Sequence, residues 1–208
     1  MTLFLEGFFL QASLILALGA QNLFVLESGL RRRRHLFVAA VCSVCDFSLV
    51  LAGVLGAGTL FVSVPWLKII FGLLGLGFLL FYGILKLKEA FWPGPTPLLE
   101  SSKPLPTREI LLTTLAFSLL NPHCYLDTIV LVGGYSSKFI HLRDRFIFGL
   151  GAGTTSVIWF FGLATLASKF SPILFNEKAM RIINFISGII LISLCVKLGY
   201  ELLGWISG

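Results

Sequence analysis

"LLNPHCYLDTIVLVGG", residues 119–134, decides what kind of chain this is. It lies within a run that has no Lys or Arg between Arg108 and Lys138 and is apolar on both sides. A run of that length and composition reads as a membrane-spanning helix. Yet its middle holds Asn121, Pro122, His123, Tyr125 and Asp127. Proline cannot donate the helical hydrogen bond, and it pushes the preceding residue away from helical backbone angles. The expected result is a helix interrupted near mid-membrane, whose freed carbonyls need partners or a wet cavity. A packed proline kink capped by Asn121 would satisfy the same chemistry without any function. Asp127 is harder to place on those terms. A mid-span carboxylate costs at least ~2.5–3.5 kcal/mol on insertion scales, and pairing with a neighbouring Tyr or with Thr128 is the structural way to meet that cost. His123 stands one turn earlier and shares the face of Asp127 if the helix resumes after the proline, either as its partner or as a neutral buried imidazole.

Outward from this stretch the chain keeps the same character. Of its 208 residues, 57% are hydrophobic and 12% charged, with a mean hydropathy of +0.95. A soluble domain would carry about 25% charged residues. Six apolar stretches read as spans, at roughly 3–26, 36–61, 66–86, 110–135, 146–168 and 182–204, each long enough for a ~30 Å hydrocarbon core. The expected fold is an all-α membrane protein of six transmembrane helices, with the lipid bilayer as its surroundings. No cleavable signal peptide is expected, because the first span lacks a basic flank and a second follows closely. Residues 89–108, "EAFWPGPTPLLESSKPLPTR", hold five of the eight prolines and read as an irregular linker.

That linker divides the chain into 1–88 and 109–208, three spans in each. Halves with an odd number of spans are inverted relative to each other if they are related. "KIIFGLLG" at 68–75 resembles "RIINFISG" at 181–188, and "LGAQNLF" at 18–24 interrupts its span as "LLNPHCY" at 119–125 does. Two inverted three-helix repeats are therefore expected, with broken helices in matching positions, the pattern that marks a transporter's binding site. Chance likeness between apolar helices is the competing explanation.

The net charge of +6 is not a nucleic-acid footprint, because it is spread over loops. Lys and Arg in the loops after spans 1, 3 and 5, Arg31 to Arg34 among them, outnumber those on the other side by 11 to 4. The positive-inside bias puts the first set, and with it the 89–108 linker, in the cytoplasm, so both termini are expected outside.

Other polar residues stand inside spans. Gln21 and Asn22 follow Gly19 in span 1, as an amide pair that bridges helices or grips an amino acid's charged groups. Asp46 in span 2 is the only acidic residue between Glu27 and Glu89, and the insertion-cost argument repeats there. One buried carboxylate in each half is the strongest functional signal. Thr154, Thr155, Ser156 and Trp159 lie in span 5, where hydroxyls bond back to their own helix or reach a substrate. Gly72, Gly75 and Gly77 suit helix contacts within or between subunits, which leaves a homodimer open. Cys42 and Cys45 have C-x-x-C spacing, so a transmembrane thiol–disulfide carrier is a reading from another class; small apolar filler is the plainer one.

These residues resemble the lysine exporter (LysE) family, most closely its arginine-exporting branch. "GAQNLFVLESGLRR" is similar to the family's first-span motif, "CDF…AGVLG" to its second-span aspartate region, and "LNPHCYLDT" to its most specific signature. "SVIWFFGLA", "RIIN" and "VKL" follow in order, so the resemblance covers nearly everything but the linker. Ala20 stands where the family usually has Pro, and Glu27 where the residue is usually not acidic. The resemblance implies an inner-membrane exporter of L-arginine or L-lysine. Its expected substrate-binding residues are Gln21, Asn22, Asp46, Asn121, Pro122, His123, Asp127 and Ser156, with protons as the coupling ion. Export of neutral amino acids, or of divalent metal through Asp46, His123 and Asp127, remains the alternative. No cofactor or resident metal is expected. No enzyme is expected either, since no nucleophile–base pair shows recognisable spacing.

Overall fold

The computed structural model describes residues 1–16, 19–32, 34–57, 65–92, 106–121, 124–174 and 177–207. Pro122, His123 and most of the linker lie outside them. Every regular element among the described residues is a helix. In chain order these are α1 (Thr2–Ile15), α2 (Ala20–Leu30), α3 (His35–Ala52), α4 (Pro65–Phe91), α5 (Thr107–Leu119), α6 (Tyr125–Val132), α7 (Gly133–Ser136), α8 (Leu142–Leu174) and α9 (Glu177–Ser207). α3 continues in a wider turn at Gly53–Ala57, and α6 is wound wider than an α-helix throughout. Gly56 in the first of these turns has φ +101°, a conformation that side chains with a Cβ rarely adopt.

Four helical stretches are long and apolar enough to cross a membrane: His35–Ala57, Ile69–Phe91, Leu142–Ser171 and Lys178–Gly204. α1 and α2, which meet at 81°, make a fifth if they count as one bent span. The stretch read as span 4 is divided between α5 and α6–α7, and neither piece crosses alone. By length and composition the described residues therefore hold four or five crossings where six were expected.

The first break also falls earlier than expected. α1 stops at Ile15, Gly19 caps α2 in extended backbone, and Gln21 and Asn22 sit in α2's first turn. Each break frees carbonyls that lipid cannot satisfy, and in each a side chain of the following half-helix takes one. Asn22 Nδ2 donates to the Ile15 carbonyl at 2.8 Å. Tyr125 Oη donates to the Leu119 carbonyl at 2.6 Å.

α4 packs along α9; α1, α2 and α3 pack on α8; α5 packs on α3. Glycine sets the closest crossings. A Cβ on Gly7 would strike the Phe148 backbone, and one on Gly151 the Phe4 backbone, so α1 and α8 touch main chain to main chain. Gly72 and Gly75 are buried on α4, whereas Gly77 faces open space. Val44, Phe81, Ile84, Ile158 and Leu166 are more than half exposed, a surface suited to lipid and a liability in water.

The two ends differ. At one, Arg34 Nη1 donates to Thr107 Oγ1 at 2.6 Å and Arg32 Nε to the Ser168 carbonyl at 3.2 Å. Arg32 and Arg34 themselves take left-handed backbone angles, φ 50° and 45°. At the other end Lys138 pairs with Glu6 at 2.8 Å, a bond that raises the ammonium's pKa.

Candidate functional site

A cavity of about 300 Å³ lies where the two helix breaks meet. α1 contributes Gln11, Leu14 and Ile15; the start of α2 contributes Gly19, Ala20, Gln21 and Asn22; α3 contributes Asp46. The second break supplies Asn121, Cys124, Asp127 and Thr128, while Leu79, Phe160, Leu194, Lys197 and Leu198 close the sides. The breaks face each other closely: a Cβ on Gly19 would lie 3.9 Å from Asn121 Nδ2.

Five of the expected residues thus line one cavity: Gln21, Asn22, Asp46, Asn121 and Asp127. Ser156 does not line it but stands behind Asp46, fully buried, and its hydroxyl donates to Asp46 Oδ2. Thr154 bonds back to the Leu150 carbonyl of its own helix, and Thr155 reaches across to the Phe8 carbonyl. The amide pair bridges helices. Gln21 Nε2 donates to Ser118 Oγ at 3.2 Å, and its Oε1 accepts from Cys124 Sγ at 3.3 Å. Asn22 Oδ1 accepts from Trp159 Nε1 at 3.0 Å.

Gln11 went unmarked in the sequence. Its Nε2 donates to Asp46 Oδ2 at 3.1 Å and to Ser156 Oγ at 3.3 Å, and the residue is 2% exposed. Asp46 is therefore held from α1 and α8 by neutral donors. The available signal was a lone amide in the apolar "GFFLQASLI", subject to the same insertion argument as a carboxylate though weaker.

The arrangement suits a zwitterion that carries an extra positive charge. Asp46 and Asp127 supply negative charge. α2's first turn presents backbone N–H groups and the positive end of its dipole to the cavity, which Lys197 also lines. Among the described residues no three of His, Cys, Asp and Glu are placed to share a metal ion. Cys42 and Cys45 are free thiols, and Cys42 is buried against the Ser118 hydroxyl.

Residues 12–202 match the model of the LysE type translocator family. The chain is 39% identical over 205 residues to the arginine exporter protein ArgO of Klebsiella pneumoniae (strain 342), covering 99% of this chain and 97% of that protein. It is 38% identical over 213 residues to the arginine exporter protein ArgO of Enterobacter sp. (strain 638), with the same coverage. The protein of that name in Salmonella typhimurium (strain LT2) is 38% identical over 206 residues, covering 95% of this chain and 93% of that protein. No solved structure matches.

Proposed function

The chain belongs to the LysE-type translocator family, and from that premise we propose that it exports basic amino acids, L-arginine foremost and L-lysine with it, across the inner membrane. The observation that carries this reading is a single cavity, at the meeting of two helix breaks, lined by two carboxylates. Its volume stands at the lower end of the ~300–1,000 Å³ typical of small-molecule sites. The substrate's guanidinium or ammonium side chain pairs with Asp127 or Asp46. Its α-carboxylate meets the N-terminal turn of α2, with the amides of Gln21, Asn22 and Asn121 around it. Ser156 and Gln11 hold Asp46 in place. Pro122 and His123, next to Asn121 in sequence, complete the proposed substrate-binding set. A neutral amino acid would leave a desolvated carboxylate without its cation, which is the basis for selectivity.

Moving a +1 substrate outward opposes an inside-negative potential by about 2.3 kcal/mol per 100 mV. Exchange for an inbound proton cancels that charge. A carboxylate that holds either the proton or the substrate couples the two flows.

We further propose six spans in two inverted repeats, 1–88 and 109–208, joined by the cytoplasmic linker 89–108. Three facts support this: the breaks face each other, each is satisfied by the following half-helix, and α3 packs on α8 as α4 packs on α9. The test of function is counterflow of labelled arginine, lysine and neutral amino acids in proteoliposomes. Arginine and lysine are expected to exchange and leucine not. Equal exchange of leucine, or no exchange of either basic amino acid, overturns the reading.

A further inference from the structure

On the side of the basic loops, a layer of rings and then a layer of ions lie beyond the cavity. Phe117 stacks on Phe24, with centroids 4.6 Å apart, and meets Phe78 and Tyr82 edge-on at 4.8 Å. Beyond the rings, Glu27 of α2 and Lys86 of α4 are buried, at 7% and 5% exposure. Lys86 Nζ lies 2.5 Å from Glu27 Oε1, and Arg31 Nε 2.8 Å from the same oxygen. Arg31 Nη2 donates to Asn184 Oδ1 of α9 at 2.6 Å and lies 3.6 Å from Glu89. At ~1.5 Å per helical residue, this layer sits about 10 Å along α2 from Ala20 and along α4 from Leu79, both of which line the cavity.

We propose that Glu27, Arg31, Lys86 and Glu89 form the cytoplasmic gate of the transport path. The proposal rests on the exporter reading above. What distinguishes a gate from a fixed staple is how the charges are divided. α2 carries Glu27 and Arg31, already paired with each other at i, i+4; α4 carries Lys86 and Glu89, paired at i, i+3 at 3.3 Å. The bonds that cross between helices are Glu27–Lys86, Arg31–Glu89 and Arg31–Asn184. If α2 parts from α4 and α9, those crossing bonds break, but no charge is stranded, because each helix retains one cation beside one carboxylate. Removing one partner from a buried pair is strongly destabilising because it leaves the other charge uncompensated. Separation here loses the crossing bonds but keeps the pair within each helix, so both arrangements are charge-compensated, as a two-state element requires. The closed state also shields Glu27 from a cationic substrate, and the open state presents it on the path inward.

Cys124 lines the cavity and serves as the reporter. With Cys42, Cys45 and Cys195 replaced by Ser, a membrane-impermeant methanethiosulfonate is applied to inside-out and right-side-out vesicles, and arginine counterflow is measured in parallel. Lys86→Gln should raise modification of Cys124 from the cytoplasmic side about tenfold or more, with no rise from the outside. Glu89→Gln, at a half-exposed position that folding tolerates, should act in the same direction more weakly. The double exchange Glu27→Lys with Lys86→Glu keeps the attraction across the helices but puts like charges together on each. It should stay protected from the cytoplasm yet lose counterflow while remaining in the membrane. A fixed staple predicts that this exchange restores wild-type counterflow, and that result overturns the gate. So does unchanged cytoplasmic labelling in both single variants. If the labelling pattern is as expected but the parent chain moves no arginine, the exporter reading fails, and what stands is only that these charges close the cavity from this end.

Discussion

Asp46 is a carboxylate whose hydrogen bonds, among the described residues, come from neutral donors, Gln11 and Ser156. Those bonds orient it without cancelling its charge, so it stays available to a cation or a proton. If it pairs with the substrate, Asp46→Asn keeps shape and hydrogen bonding but deletes the charge. Stranding one member of a buried ion pair costs ~3–5 kcal/mol, so arginine binding should fall at least about a hundredfold. Asp127→Asn is subject to the same reasoning. Whichever aspartate carries the proton should also, when replaced, make residual exchange insensitive to a pH gradient while substrate-for-substrate counterflow persists. Normal arginine binding and normal pH-driven export in both variants would make the carboxylates structural. Gln11→Leu removes one hydrogen bond to a charged group, worth ~1.5–3 kcal/mol, so its loss should be smaller than that of Asp46→Asn but in the same assay. Wild-type affinity in Gln11→Leu would show that Asp46 needs no clamp from α1. The two aspartates and Asn121 were legible in the sequence because a charge or a broken helix in lipid demands a reason wherever it points. Gln11 was not, because its role exists only once α1 packs on α8 and meets Asp46 there, and a lone amide is inexpensive enough to pass as filler.

At the scale of elements, the sequence marked both interruptions but not their lengths or how they are healed. Proline and the Gly-Ala-Gln-Asn run announce a break; nothing local says that Asn22 reaches back to Ile15 or Tyr125 to Leu119. Tyr125→Phe keeps the ring and deletes the donor to the part-buried Leu119 carbonyl, a loss of about 1 kcal/mol. A lower thermal midpoint in detergent is expected, with the substrate profile unchanged. Asn121→Ala, by contrast, should abolish export while the protein still inserts, since the amide lines the cavity and lies against Gly19 of the other break. Wild-type transport in Asn121→Ala would remove the broken-helix site from consideration. Glycine-rich segments were legible as close-packing helices, but their partners were not. Gly7 against Phe148 and Gly151 against Phe4 are backbone contacts that no rotamer change relieves. Gly7→Val should therefore reduce the folded protein in the membrane rather than alter its selectivity.

For the whole molecule, the decisive observation is which segments share an end. Arg32 and Arg34 bond to Ser168 and Thr107, and Arg31 to Glu89, so the basic loops gather on one face. Glu6 bonds to Lys138 on the opposite one, and Tyr135 reaches the same carboxylate at 3.3 Å. Hydropathy alone could not give this, because half-helices as short as α5 and α6 fail any length criterion for a span. It takes contacts between distant loops to set Glu6 beside Lys138 and Arg31 beside Glu89. The 11-to-4 excess of Lys and Arg supports the proposal that the richer face is the cytoplasmic one. A reporter fused after Gly208 should be extracytoplasmic, and one inserted in 89–108 cytoplasmic. Glu6→Cys and Lys138→Cys should cross-link with a short bifunctional reagent and be labelled from the face that carries the C-terminal reporter. If Glu6→Cys is instead labelled from the linker's face and the cross-link fails, α1 and α2 dip into the membrane and return, the chain has five crossings, and the inverted-repeat proposal is wrong.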